Sequence, residues 1–185
     1  LSLGWWGGVI CGVLACLSLS AGPFSFTAAA AVGFLIYRWG RRKTRRQFFS
    51  VVILTGLFFS YLWCMPKIPV NASYKAASLS QFMDAFIQIS AWPMAANFLF
   101  AFLRNFPALA FMGYMTWKRP PANDYRWFLL GMIFLGMGQS ISIAYGRATC
   151  CLAPRYQDLF AMAVLVNFVY LIFLVRNTTL NQRRW

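Results

Sequence analysis

Arg38-Trp39-Gly40-Arg41-Arg42-Lys43-Thr44-Arg45-Arg46 stands between two apolar runs, Phe24 to Tyr37 and Phe48 to Met65. Six cations in nine positions, with water-avoiding side chains on both sides, mark a short cytoplasmic loop between two membrane crossings, because basic residues are retained on the cytoplasmic face. Reading outward from that loop gives the rest of the layout. The upstream span extends through Trp39 and carries four consecutive alanines, Ala28 to Ala31. Before it, Ala21-Gly22-Pro23 reads as a tight turn, because proline cannot continue the helix and glycine tolerates positive φ. An earlier span covers Leu3 to Leu19. There Trp5 and Trp6 suit an interfacial belt, and Gly8-x-x-x-Gly12 offers a small-residue stripe for close helix packing.

Downstream, the span at 48–65 runs outward and stops at Pro66 and Pro69. Gln81 to Trp117 is too long for one simple crossing, since 37 residues make a helix of about 55 Å. Within Ser78 to Ala91, Leu79, Phe82, Met83, Phe86, Ile87 and Ser90 recur at helical spacing. This piece reads as an amphipathic helix on the outer interface, capped by Ser78 or Ser80. Trp92-Pro93 then opens a fourth span, 93–117, with proline in its first turn. The alternative is a crossing from Ala85 to Leu103, with Phe106 to Trp117 left as a short re-entrant or surface helix. A second cytoplasmic loop holds Lys118, Arg119 and Arg126. The fifth span is 127–145 and the sixth 159–175. Of seventeen Lys/Arg, twelve then fall inside, and four (Lys67, Lys75, Arg147, Arg155) outside. The expected architecture is an all-α polytopic transmembrane bundle of six spans with both termini cytoplasmic.

Composition agrees. Hydrophobic residues make up 61% and charged residues 11%, about half the share of a soluble domain. The apolar runs are continuous rather than alternating, so helices are favoured over barrel strands. A net charge of +14 would suggest nucleic acid in a soluble protein, but here the cations sit at the ends of apolar runs, beside anionic lipid. The lipid bilayer is the expected partner, and nucleic acid is not. With no histidine, the commonest metal ligand and general base is missing. No metal-ligand spacing, phosphate loop or hydrolase elbow occurs, so neither a metal nor a cofactor is expected. The first residue is Leu1 and no basic segment precedes the first apolar run, so the chain reads as the C-terminal part of a longer membrane protein.

The residues able to carry chemistry gather in Ala144 to Asp158. Arg147 and Arg155 could grip a phosphate or pyrophosphate on a lipid-linked sugar or phospholipid, each with a planar fork of donors, with Tyr145, Tyr156 and Asp158 nearby. The plainer reading pairs Arg155 with Asp158 and lets Arg147 snorkel to the interface. Asp84 is the nearest candidate base, or merely the polar face of its helix. Arg104 is a functional candidate if it lies mid-span and an inexpensive boundary residue otherwise. Asn97, Gln139, Ser140, Ser142 and Asn167 suit hydrogen bonds between helices. Asp124 reads as a surface charge. Cys64 can pair with Cys150 or Cys151 in an oxidising compartment, while Cys11 and Cys16 read as small apolar residues.

Ser90-Ala91-Trp92-Pro93, Asn105-Phe106-Pro107, Tyr145-Gly146-Arg147 and Pro154-Arg155-Tyr156-Gln157-Asp158 resemble the C-terminal half of large bacterial inner-membrane proteins. Some of these are similar in layout to membrane glycosyltransferases that use polyprenyl-phosphate sugars. The resemblance covers about residues 78 to 170. It implies a bacterial cytoplasmic-membrane location and envelope-glycan or lipid-linked-sugar chemistry. In that family the catalytic acids lie in an early extracytoplasmic loop, which this sequence lacks, so no catalytic residue carries over to Asp84. A non-catalytic subunit or scaffold is the rival expectation, and a transporter the third.

Overall fold

The computed structural model describes residues 2–18, 22–39, 44–64, 73–149 and 156–182; for 17–18 and 177–182 only the backbone is described. These residues form seven α-helices and no strand: α1 (Leu3–Ser18), α2 (Phe24–Trp39), α3 (Arg45–Cys64), α4 (Leu79–Ala91), α5 (Phe98–Lys118), α6 (Arg126–Gly146) and α7 (Gln157–Gln182). Four stretches, α3, α5, α6 and α7 as far as Arg176, are long and apolar enough to cross a membrane. α1 and α2 are apolar but have 16 residues each, or about 24 Å against a hydrocarbon core of about 30 Å.

The helices belong to two compact units, and α6 contributes its first part to one and its last turns to the other. The first unit holds α1, α2, α3 and α6 up to Gln139. Its core is Phe26, Ala30 and Leu54, surrounded by Trp5, Val9, Cys16, Leu57 and Phe58. Glycines admit the large rings. A Cβ on Gly12 would stand 2.6 Å from Phe26, and one on Gly138 would stand 2.6 Å from Phe24. Gly8, the other half of the anticipated stripe, faces open space. Gly22 serves a purpose different from the expected one. No described glycine has positive φ; instead a Cβ at Gly22 would overlap the backbone carbonyl of Ala15. The turn exists because two backbones touch there. Ser25 and Phe26 begin α2 by donating their N–H groups to the carbonyls of Gly22 and Pro23, both at 3.0 Å.

Local caps explain where the helices start. Thr44 and Gln47 form a reciprocal capping box at α3, each side chain accepting the other's N–H at 3.3 Å. The Ser78 hydroxyl accepts the Gln81 N–H at 3.2 Å, which starts α4 at the expected place. α5 starts later than Pro93. Asn97 ends a turn and its side chain accepts the Leu99 N–H at 2.8 Å, so the first helical residue is Phe98. At α6, Asp124 accepts the Arg126 backbone N–H at 2.9 Å and the Arg126 Nε–H at 2.8 Å, with a further Nη2–Oδ2 contact. Asp124 is therefore a helix-starting residue rather than a bare surface charge. The Arg126 hydrogen bonds hold its carboxyl below the usual carboxylate range.

The second unit holds α4, α5, α7 and α6 from Ser140. Ala85 and Ile89 of α4 are buried against Ile143 and Ala144 of α6 and Phe160 of α7, with Phe82 and Phe86 packed alongside. The buried stripe is thus Phe82, Ala85, Phe86 and Ile89, at helical i, i+3, i+4, i+7 spacing. Of the stripe picked out for the interface, Phe82 and Phe86 pack on this core, while Leu79 is 76% exposed and Met83 41%. Further along, Phe111 of α5 stacks on Tyr170 of α7 at 4.9 Å and meets Phe173 edge-on at 5.3 Å.

Candidate functional site

A helix end leaves four carbonyls without an intrahelical donor. At the C-terminus of α4 each of the four is answered. The Trp92 N–H donates to Gln88 O at 3.2 Å and the Met94 N–H to Ala91 O at 2.9 Å. The middle two are taken by side chains of α5. Arg104 Nη1 donates to Ile89 O and Ser90 O, both at 2.9 Å, and Asn105 Nδ2 donates to Ser90 O at 3.0 Å. Arg104 reaches further, with Nη2 donating to Phe160 O of α7 at 3.2 Å. One guanidinium therefore fastens α4, α5 and α7. Its counter-charge is the carbonyl end of α4, equivalent to about half a negative charge; no described carboxylate pairs with it. Arg104 Nε is buried and has no hydrogen-bond acceptor.

A second polar junction lies one turn along α5. Pro107 has no N–H, and its ring disturbs the preceding turn. The next donor, the Ala108 N–H, is taken by Asn167 Oδ1 of α7 at 3.2 Å. Asn167 is only 8% exposed and completes its bonding by donating Nδ2 to Ala163 O at 2.8 Å. The Asn105 amide likewise donates to Ala101 O at 2.8 Å within α5. These side chains are spent on main chain, which is how polar groups become tolerable where water is absent.

The stretch after α6 is bound to the segment before α4. Ala76 N–H donates to Tyr145 O at 2.9 Å, Thr149 N–H to Tyr74 O at 3.4 Å, and Thr149 Oγ1 to Ser73 O at 2.9 Å. Arg147 lies half-buried with its guanidinium 5.1 Å from the centre of the Tyr74 ring, a cation–π contact. Among the described residues no group accepts from its side-chain N–H donors.

The anticipated site residues are thus dispersed in role. Arg104 binds backbone carbonyls. Arg147 is paired with Tyr74, a residue that sequence reasoning did not single out. Tyr156 is half-buried against the α4–α6–α7 core. Asp158 is exposed in the first turn of α7, where a carboxylate suits the helix N-terminus. Asp84 is exposed on α4. Arg155 lies outside the described residues, as do Cys150 and Cys151. Cys11, Cys16 and Cys64 are free thiols. Asn97 caps its own helix, and Gln139, Ser140 and Ser142 are half-buried on α6. Among the described residues no three His, Cys, Asp or Glu side chains gather to hold a metal. Pro107 inside an apolar run was the signal that could have pointed to Asn167, because the N–H groups it frees must find acceptors. The chain matches no protein-family model, no curated protein and no solved structure.

Proposed function

We propose that this chain is an integral membrane module of six crossings, with both ends on the cytoplasmic side of a bacterial inner membrane and α4 along the outer interface. Its role is architectural: it is a non-catalytic subunit or scaffold that carries partner segments. The observation supporting this reading is the fate of Arg104, Asn105 and Asn167, whose donors and acceptors go to the backbones of helices rather than to a cavity. The basic loops support the orientation. In this reading α1 and α2 reach across the bilayer with the help of interfacial residues at their ends, among them Trp5, Trp6 and Trp39.

One observation favours a second reading, a lipid-linked sugar enzyme that grips phosphate on the outer side. The Arg147 guanidinium is steadied by Tyr74, and no described group takes its donors, an arrangement suited to a phosphate clamp. Arg155, Tyr156 and Asp158 would complete the clamp, and Asp84 would be the base. Titrating the purified chain in nanodiscs with polyprenyl phosphate separates the two. Equal, weak binding by the wild type and by Arg147→Ala is the result expected of a scaffold. Tight binding lost in Arg147→Ala would overturn the scaffold in favour of the clamp.

A further inference from the structure

A crevice of about 430 Å³ opens where α2 ends and α3 begins, lined by Tyr37, Thr44, Arg45, Phe48 and Phe49. We infer that it is a binding site for the phosphate headgroup of an anionic phospholipid. The inference rests on the membrane reading above but not on Arg147, which belongs to the other unit.

The lining is divided by chemistry. Tyr37 and Phe48 approach at 6.1 Å, and Phe48 meets Phe49 at 6.1 Å, so three rings form an apolar wall continuous with the exposed face of α3. Such a wall suits glycerol and the first acyl carbons. The same lining includes Arg45 and Thr44, both exposed residues. Thr44 Oγ1 already accepts the Gln47 N–H, so its own hydrogen remains to donate. Arg38 and Arg46 are sequence neighbours of the lining, and the first turn of α3 contains no acid to neutralise them. A planar fork beside a hydroxyl matches two phosphate oxygens, and the neighbouring rings offer apolar surface to the carbon chain attached to them. The occupant must therefore be both anionic and apolar. A phospholipid meets that requirement, whereas free phosphate meets only half of it.

The full chain, stripped of lipid in neutral detergent, is titrated with phosphatidylglycerol, with phosphatidylcholine and with soluble glycerol phosphate, and bound species are counted by native mass spectrometry. Phosphatidylglycerol is expected to bind at least tenfold more tightly than either of the others. Arg45→Gln should weaken it about tenfold, the loss of one charge-assisted bond. Arg45→Lys should recover part of the loss, because it restores charge without the fork. Lys118→Gln, on a different loop, should leave binding unchanged. Equal losses from Arg45→Gln and Lys118→Gln would mean diffuse attraction and overturn the site. Full competition by glycerol phosphate would replace lipid with a free anion and overturn it as well. Carbonate extraction of the chain from membranes gives an independent reading: release into the soluble fraction would sink the membrane assignment itself, whatever the lipid data.

Discussion

Arg104 shows how a cation can be accommodated in an apolar bundle without an acid. An ordinary hydrogen bond between membrane helices contributes about 0.6 kcal/mol. Leaving buried carbonyls unanswered costs about 1–3 kcal/mol each. Arg104→Ala should therefore destabilise the chain by about 2–4 kcal/mol, well beyond Asn105→Ala at about 1 kcal/mol, with Arg104→Lys between them. Reversible unfolding in mixed micelles checks the order; an Arg104→Ala effect no larger than that of Asn105→Ala would refute the helix-end explanation. The sequence marked Arg104 as costly but could not name its partners, because the carbonyls of Ile89 and Ser90 carry no side-chain signature and lie 15 and 14 positions upstream. Asp124 was underestimated for a related reason: only the folded turn brings its carboxylate onto the Arg126 backbone. Its carboxyl is held below the usual range, so its contribution is full at neutral pH and disappears as pH falls through the lowered value. Amide protection in the first turn of α6, taken relative to the intrinsic exchange rate at each pH, should fall below about pH 4, the ordinary aspartate value. In Asp124→Asn that pH-dependent loss should be absent.

At the scale of the helices, the continuous apolar runs and the Ser78 cap of α4 were legible. Thr44 with Gln47 carries an equally local start signal for α3 that the apolar run alone did not reveal, so the helix begins at Arg45, ahead of the expected Phe48. The start of α5 was misread because proline at a first turn is allowed but not required, and Asn97 offered a better cap four residues later. Which face of α4 meets the protein was not legible: the larger side chains mark an interfacial stripe, whereas the contact with Ile143 and Ala144 centres on Ala85, whose small side chain carries no signal in the sequence. The coupling of α5 to α7 can be tested by a double-mutant cycle. Asn167→Ala should cost about 1 kcal/mol when Pro107 is present. In a Pro107→Ala background the cost should shrink, because a straightened α5 returns the Ala108 N–H to its own helix. Additive effects would show that Asn167 does not compensate for the proline. Gly22→Ala, which forces a methyl into the Ala15 carbonyl, should destabilise the α1–α2 turn by about 1–3 kcal/mol in the same assay.

For the molecule as a whole, large apolar side chains remain exposed on every long helix, including Phe59, Trp63, Phe98, Phe128 and Phe168. Contiguous surface of that kind in water would drive association; in lipid it is simply solvated. The sidedness proposed above makes a direct prediction. With the other cysteines removed, exposed Cys64 should react with a membrane-impermeant maleimide on intact spheroplasts. A Thr44→Cys residue in the cysteine-free background should react only after permeabilisation. Labelling of both from one side would refute the layout.

The junction of Pro107 with Asn167 has a mechanical corollary. An ordinary apolar seam between two helices lets one slide or roll past the other in small steps at little cost. Here an amide of α7 is stitched to the spine of α5 just after the proline, while Arg104 ties α5 to α7 again nearby. Two such pins resist piston strokes and axial rotation of one rod against the other, so rearrangements that carry α5 and α7 together are the less costly ones.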